Sequence, residues 1–180
     1  LVVCKPCLAG EFSEASAGAT VGPVNCTACP PGRFSAGGAS ECSPCPSGTA
    51  SASPNTTVCD PCDRGYFSVV NEENGTITCD PCAKGEANED TGRDACRPWD
   101  PGTYSGEIAL SSCIECPQGK YNSQPGQLEG LPCDEGTFAD QNRTTSCKPC
   151  APGAIANRTG LSECVECEPG RFQAGQGERE

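Results

Sequence analysis

Large apolar side chains occur singly along these 180 residues, and they recur at a fixed offset from glycine. An aromatic stands two residues after a glycine at Phe12, Phe34, Phe67, Tyr104, Tyr121, Phe138 and Phe172, a set that holds all five phenylalanines of the chain. Between these points the sequence is Ser, Gly, Asn, Thr and Glu without a helical period. That predicts turns and short β-strand pairs, with almost no helix. No apolar run approaches the roughly 18 residues of a membrane helix, and no charged-then-apolar leader opens the stretch, so targeting information is expected outside it.

The aromatic positions belong to a tenfold repeat. Intact C-x-x-C pairs begin at Cys4, Cys26, Cys42, Cys59, Cys79, Cys113, Cys147 and Cys164, with second cysteines at Cys7, Cys29, Cys45, Cys62, Cys82, Cys116, Cys150 and Cys167. Two further units are half-present: Cys96 has Trp99 in place of its second cysteine, and Cys133 has Gly130 in place of its first. Unit starts are then 4, 26, 42, 59, 79, 96, 113, 130, 147 and 164, in one tandem array over residues 1–180. A glycine follows the second cysteine position by three residues in every unit, from Gly10 to Gly170. It permits positive φ or close backbone approach where the chain must reverse. The aromatic two positions later is the one large apolar side chain available to cover the sulfurs.

Composition narrows the chemistry. Cysteine is one residue in ten (18), with 22 glycines and 17 prolines, the density of a disulfide scaffold. The 35% hydrophobic content includes those cysteines and leaves too little for a conventional core. Units this short cannot fold on one aromatic, so closure of loops of this size, about 3 kcal/mol each in the chain-entropy model, must do most of the rest. Histidine and methionine are absent, removing the usual general base and the commonest metal ligand, so no enzyme, catalytic residue or cofactor is expected. A net charge of −12 disfavours nucleic acid and anionic lipid. No nucleophile elbow, P-loop or dinucleotide fingerprint is present.

The pattern in Cys26-Thr27-Ala28-Cys29-Pro30-Pro31-Gly32-Arg33-Phe34 and Cys113-Ile114-Glu115-Cys116-Pro117-Gln118-Gly119-Lys120-Tyr121 resembles the ephrin-receptor-like cysteine-rich repeat. That family is related in style to tumour-necrosis-factor-receptor modules. It occurs in long extracellular proteins, including surface and flagellar-filament (mastigoneme) proteins. The resemblance covers the whole chain. It implies small disulfide-rich repeats in an elongated rod, each unit contacting mainly its neighbours, and it serves receptors, stalks and fibres alike.

Paired C-x-x-C motifs separated by 13 to 19 residues also suit Cys4 zinc sites. Five N-x-[ST] sequons, at Asn25, Asn55, Asn74, Asn142 and Asn157, argue for the secretory pathway instead, with disulfides, no metal and N-linked glycans on exposed loops. A thioredoxin-like role needs one C-x-x-C at a helix start, which ten loop copies do not supply. Two connectivities are open. If each second cysteine closes on the first of the next unit, as in the receptor modules resembled, Cys113 and Cys116 are orphaned and must bridge each other. If it reaches the first cysteine two units on, as in Cys82 to Cys113 and Cys116 to Cys147, the absent partners are 99 and 130 themselves. We expect this staggered ladder, which leaves Cys4, Cys26, Cys150 and Cys167 to find partners outside the stretch.

Trp99 is expected to fill the space of the lost disulfide, against Leu128 or Leu131, rather than to serve as an exposed anchor for a partner chain. The acidic stretches Asn71–Gly75 and Asn88–Gly92 lack calcium-loop spacing and read as solvated loops. A 17-residue period puts the next cysteine at 181, so both ends read as cuts through a longer array. The expected function is structural: a stalk, surface-coat or filament (mastigoneme) segment, extracellular or at the cell surface, assembling with other protein chains. The alternative is a ligand-binding ectodomain segment of a receptor.

Overall fold

The computed structural model describes residues 5–13 and 25–177. Among them there is no helix, and the strands form nine two-stranded antiparallel sheets. One rule builds them all. The two residues after each repeat glycine pair with the two central residues of the next C-x-x-C, as in Thr137↔Pro149 and Phe138↔Lys148 or Thr103↔Glu115 and Tyr104↔Ile114. Six of these central pairs end in proline (Pro44, Pro61, Pro81, Pro98, Pro132 and Pro149), which a two-stranded sheet tolerates because its outer side needs no ladder donor.

The turn before each hairpin explains the glycine. Thr137 N donates to Asp134 O across 3.0 Å, and Gly136 stands at φ 81°, reversing the chain. The same glycine is also a close-approach point. A Cβ on Gly136 would lie 2.0 Å from the carbonyl oxygen of Gly177, and one on Gly48 would lie 1.9 Å from that of Gly92. These partners belong to the repeat after next, so contacts extend beyond the immediate neighbours that the repeat pattern led us to expect. Glycine is required here twice over, by conformation and by space.

A backbone network ties each repeat to the following one. The repeat glycine N–H donates to the carbonyl three residues after the next repeat's glycine: Gly32 to Ser51, Gly65 to Asn88, Gly102 to Asn122 and Gly136 to Ala156, each at 2.8–2.9 Å. The second cysteine position donates to the preceding repeat's glycine carbonyl, as Cys45 does to Gly32 and Cys116 to Gly102 (both 2.9 Å). A second left-handed position, seven residues after the repeat glycine in most repeats, donates to the carbonyl of the preceding repeat's second cysteine position. Asn55 does this to Cys29, Gly126 to Trp99 and Arg143 to Cys116.

The chain divides into two compact bodies: Leu1–Pro81 with Asn88–Cys96, and Cys82–Ala87 with Arg97–Glu180. The first contains a small apolar cluster of Cys45, Cys59 and Ile77, against which Phe34 and Ala50 pack. It also contains the longest hairpin, Tyr66–Val70 with Ile77–Pro81, which accommodates the longer interval between Cys59 and Cys79. In the second body the buried side chains are the second cysteines, small residues and polar groups: Thr103, Ser105 and Asn122 are fully buried beside Cys116, Cys133, Ala139, Cys150 and Ala156. The repeat aromatics are half-buried from Phe12 to Phe138, and Phe172 is exposed. Among them Phe34 packs against Cys45 and Cys59.

Candidate functional site

The chemistry of the chain is concentrated in its sulfurs. Seven disulfides join successive cysteines among the described residues. Six are Cys7–Cys26, Cys29–Cys42, Cys45–Cys59, Cys62–Cys79, Cys133–Cys147 and Cys150–Cys164, and Cys82 and Cys96 are also disulfide-bonded. The Cα–Cα separations of the six run from 5.5 to 5.9 Å, in the ordinary range for a disulfide. Each second cysteine therefore closes on the first cysteine of the next repeat.

This overturns the staggered ladder. Cys147 bonds to Cys133 and not to Cys116, Cys113 is free, and Cys26 and Cys150 have partners within the chain. The cause is the hairpin. The glycine turn folds the second cysteine back over the strand pair, whose register brings up the next repeat's first cysteine, so the nearest sulfur is one repeat away. Cys4 lies outside the described residues.

The two interrupted repeats leave two thiols unpaired. Trp99 occupies the position that would bond Cys113, and Gly130 the position that would bond Cys116; both cysteines are free, as is Cys167 in the tenth repeat. The expectation that all eighteen cysteines are crosslinked therefore fails at Cys113 and Cys116, whereas Cys167 was expected to pair outside the stretch. Cys113 and Cys116 do not bridge each other either, and the reason is geometric. They flank the strand Ile114–Glu115, and residues three apart on an extended strand point to opposite faces with Cα atoms about 10 Å apart, beyond disulfide reach.

The two vacancies differ. A Cβ on Gly130 would sit 3.3 Å from the Cys116 sulfur, so the missing first cysteine faces its partner directly. Cys116 is fully buried, and burial pushes its thiol pKa above the ordinary value, with Lys120 acting in the opposite direction. At the other vacancy Trp99 is half-buried, with its indole Nε1 buried and without a hydrogen-bond partner. Its backbone keeps the repeat's pattern, donating to Gly85 O and accepting from Gly126 N. Leu128 and Leu131, expected beside it, remain 50% and 42% exposed.

Buried asparagines tie consecutive repeats in each body. Asn122 Nδ2 donates to Thr103 O at 3.0 Å, as Asn88 Nδ2 does to Tyr66 O at 2.9 Å in the other body. Asn88 also approaches the Cys96 sulfur at 3.6 Å. Asn88 is thus a buried tie between repeats and not part of a solvated acidic loop. Its neighbour Asp90 pairs with Arg93 on the surface. Asn71 and Asn74 organise the tip of the long hairpin, with Asn74 Oδ1 accepting from Thr76 N (3.0 Å) and Thr76 Oγ1 (2.7 Å).

All five sequon asparagines, Asn25, Asn55, Asn74, Asn142 and Asn157, are exposed. Two shallow grooves flank Ile77, one of about 370 Å³ lined by Ala50, Ala52, Pro61 and Thr78 among others, the second of about 280 Å³ reaching Ser68 and Asp94. Neither contains a nucleophile paired with a base. Among the described residues no cluster of three or more Cys, Asp or Glu side chains is arranged to hold a metal ion. No protein-family model matches the chain, and no curated protein matches it at a significant level.

Proposed function

We propose that the chain is an extracellular structural segment, part of a stalk, surface coat or filament, whose disulfide-bridged repeats carry N-linked glycans and engage other chains. The observation that carries this reading is the closure of each intact repeat onto the next by one disulfide, repeated with the same backbone hydrogen bonds on both sides of the interruption. Such an arrangement resists unfolding and proteolysis without a large apolar core. Disulfides in this number persist in oxidising compartments, which fits secretion. The exposed sequon loops are suited to carry glycans. Imaging of the native material tests the proposal. Its expected place is in assembled fibres or a surface layer, and recovery as a monodisperse, unassembled monomer would refute it.

One observation favours a second reading. Next-repeat closure is the connectivity implied by the resemblance to tumour-necrosis-factor-receptor modules, so a ligand-binding ectodomain segment is the alternative. A soluble protein ligand retained by the unassembled, glycosylated chain would favour it over the structural role.

A further inference from the structure

The bonded cysteines leave one long part of the second body without covalent closure. Among the described residues every disulfide lies either at or before Cys96 or at or after Cys133, and the cysteines between are free. Between consecutive bridges elsewhere, the two central residues of each C-x-x-C fall outside a closed loop, as Thr27 and Ala28 do between the Cys7–Cys26 and Cys29–Cys42 bridges, and the residues after Cys164, where Cys167 is free, are also unclosed. The extensibility of the two regions therefore differs by an order of magnitude per repeat. Residues 97–132 are nonetheless folded, held by Gly102 N to Asn122 O, Ser105 N to Gln127 O, Cys116 N to Gly102 O and Gly126 N to Trp99 O, around buried Thr103, Ser105 and Asn122. An ion pair reaching this part, Arg143 with Asp100 at 3.5 Å, is exposed and adds little. The fully buried Cys116 thiol lies inside this part, facing the vacancy at Gly130.

We infer that residues 97–132 form an extensible window between the bridged cysteines up to Cys96 and those from Cys133 on, and that its opening, under tension or by local unfolding, uncovers the Cys116 thiol for reaction. The two cysteine losses then act together: either alone would leave one loop closed and halve the window. Opening breaks no covalent bond, so it is reversible until the thiol reacts. The inference does not rest on the structural role proposed above, since it concerns only how the chain yields.

Force extension of the full oxidised chain, held by handles at its two ends in the presence of a maleimide, tests it. At about 3.3–3.6 Å per extended residue, residues 97–132 give one step of at most roughly 120 Å less their folded span, with Cys116 labelled after the step and protected before it. Gly130→Cys, whose Cβ would lie 3.3 Å from the Cys116 sulfur, closes the 116–130 loop and shortens the step by about 45 Å. The inference fails if the step is absent or originates outside the window. It fails equally if a mapped bridge from Cys116 to the introduced cysteine leaves the step unchanged, if that bridge does not form, or if Cys116 of the unaltered chain is labelled as fast without force as with it.

Discussion

Residues 29–79 and 97–132 have the same backbone architecture and differ in their crosslinks. In the first stretch Cys29–Cys42, Cys45–Cys59 and Cys62–Cys79 close successive repeats, and Ile77 packs on two of those sulfurs. In the second no disulfide is present, yet the hydrogen bonds repeat almost without change: Gly32 to Ser51 and Gly102 to Asn122 are both 2.8 Å, and Cys45 to Gly32 and Cys116 to Gly102 are both 2.9 Å. The geometry of the repeat is therefore specified by the glycine turns and the backbone network. Disulfides add stability, chiefly by restricting the unfolded chain.

The largest expected effect follows from removing the crosslink where it exists. Replacing Cys45 and Cys59 together by serine is expected to cost about 3 kcal/mol of local stability, the magnitude for a loop of this size. The equivalent pair of changes at Cys113 and Cys116 is expected to cost about 1 kcal/mol or less, because no covalent closure is lost there. Amide hydrogen exchange resolved by repeat separates the two. Equal losses would show that the sulfurs stabilise by packing alone and would erase the distinction between the regions.

A smaller effect probes the network that the two stretches share. Gly136→Ala would place a Cβ 2.0 Å from the Gly177 carbonyl oxygen at φ 81°, whereas Gly153→Ala, at φ 87°, meets nothing within 4 Å. Left-handed strain of about 1–2 kcal/mol applies to both, and only the first must also push a backbone aside, bringing it to about 2–3 kcal/mol. Urea or thermal unfolding of the pair measures the difference. Indistinguishable variants would mean that the contact with the repeat after next is dispensable.

The sequence made the repeat legible to the residue, because the glycine after each second cysteine is invariant and no other pattern competes with it. The short strand pairs, and the absence of helix among the described residues, followed from the missing 3.6 period. Connectivity was not legible, since it depends on which way the glycine turn folds the second cysteine over the hairpin, a matter of backbone direction and not of spacing. The second left-handed position left a signal in Gly92, Gly126, Gly160 and Gly177, but Asn55, Ala109 and Arg143 interrupt it in other repeats. The buried polar side chains were hidden for a different reason: Ser35, Asn88 and Asn122 are loop-forming residue types, and their side chains donate to carbonyls of the preceding repeat, which takes them out of solvent.

The smallest expected effect is electrostatic and distinguishes the regions by whether a sulfur titrates at all. Burial raises the Cys116 pKa in the folded chain, the Lys120 charge offsetting part of the rise, so the closed window binds the thiol proton more tightly than the open one. Below the ordinary thiol value both forms keep the proton, and the stabilisation is fully present. As pH rises past that value the open form ionises first, and the window loses stability until the folded pKa is passed, where the loss levels off. Between Cys29 and Cys79 every cysteine is bridged, and no such term exists. Opening free energies from amide exchange, corrected for its intrinsic pH dependence, should therefore fall for residues 97–132 as pH rises past the ordinary thiol value and stay level for 29–79. In Cys116→Ser the fall should vanish. If it persists, another group in the window is titrating and the buried thiol is not its cause.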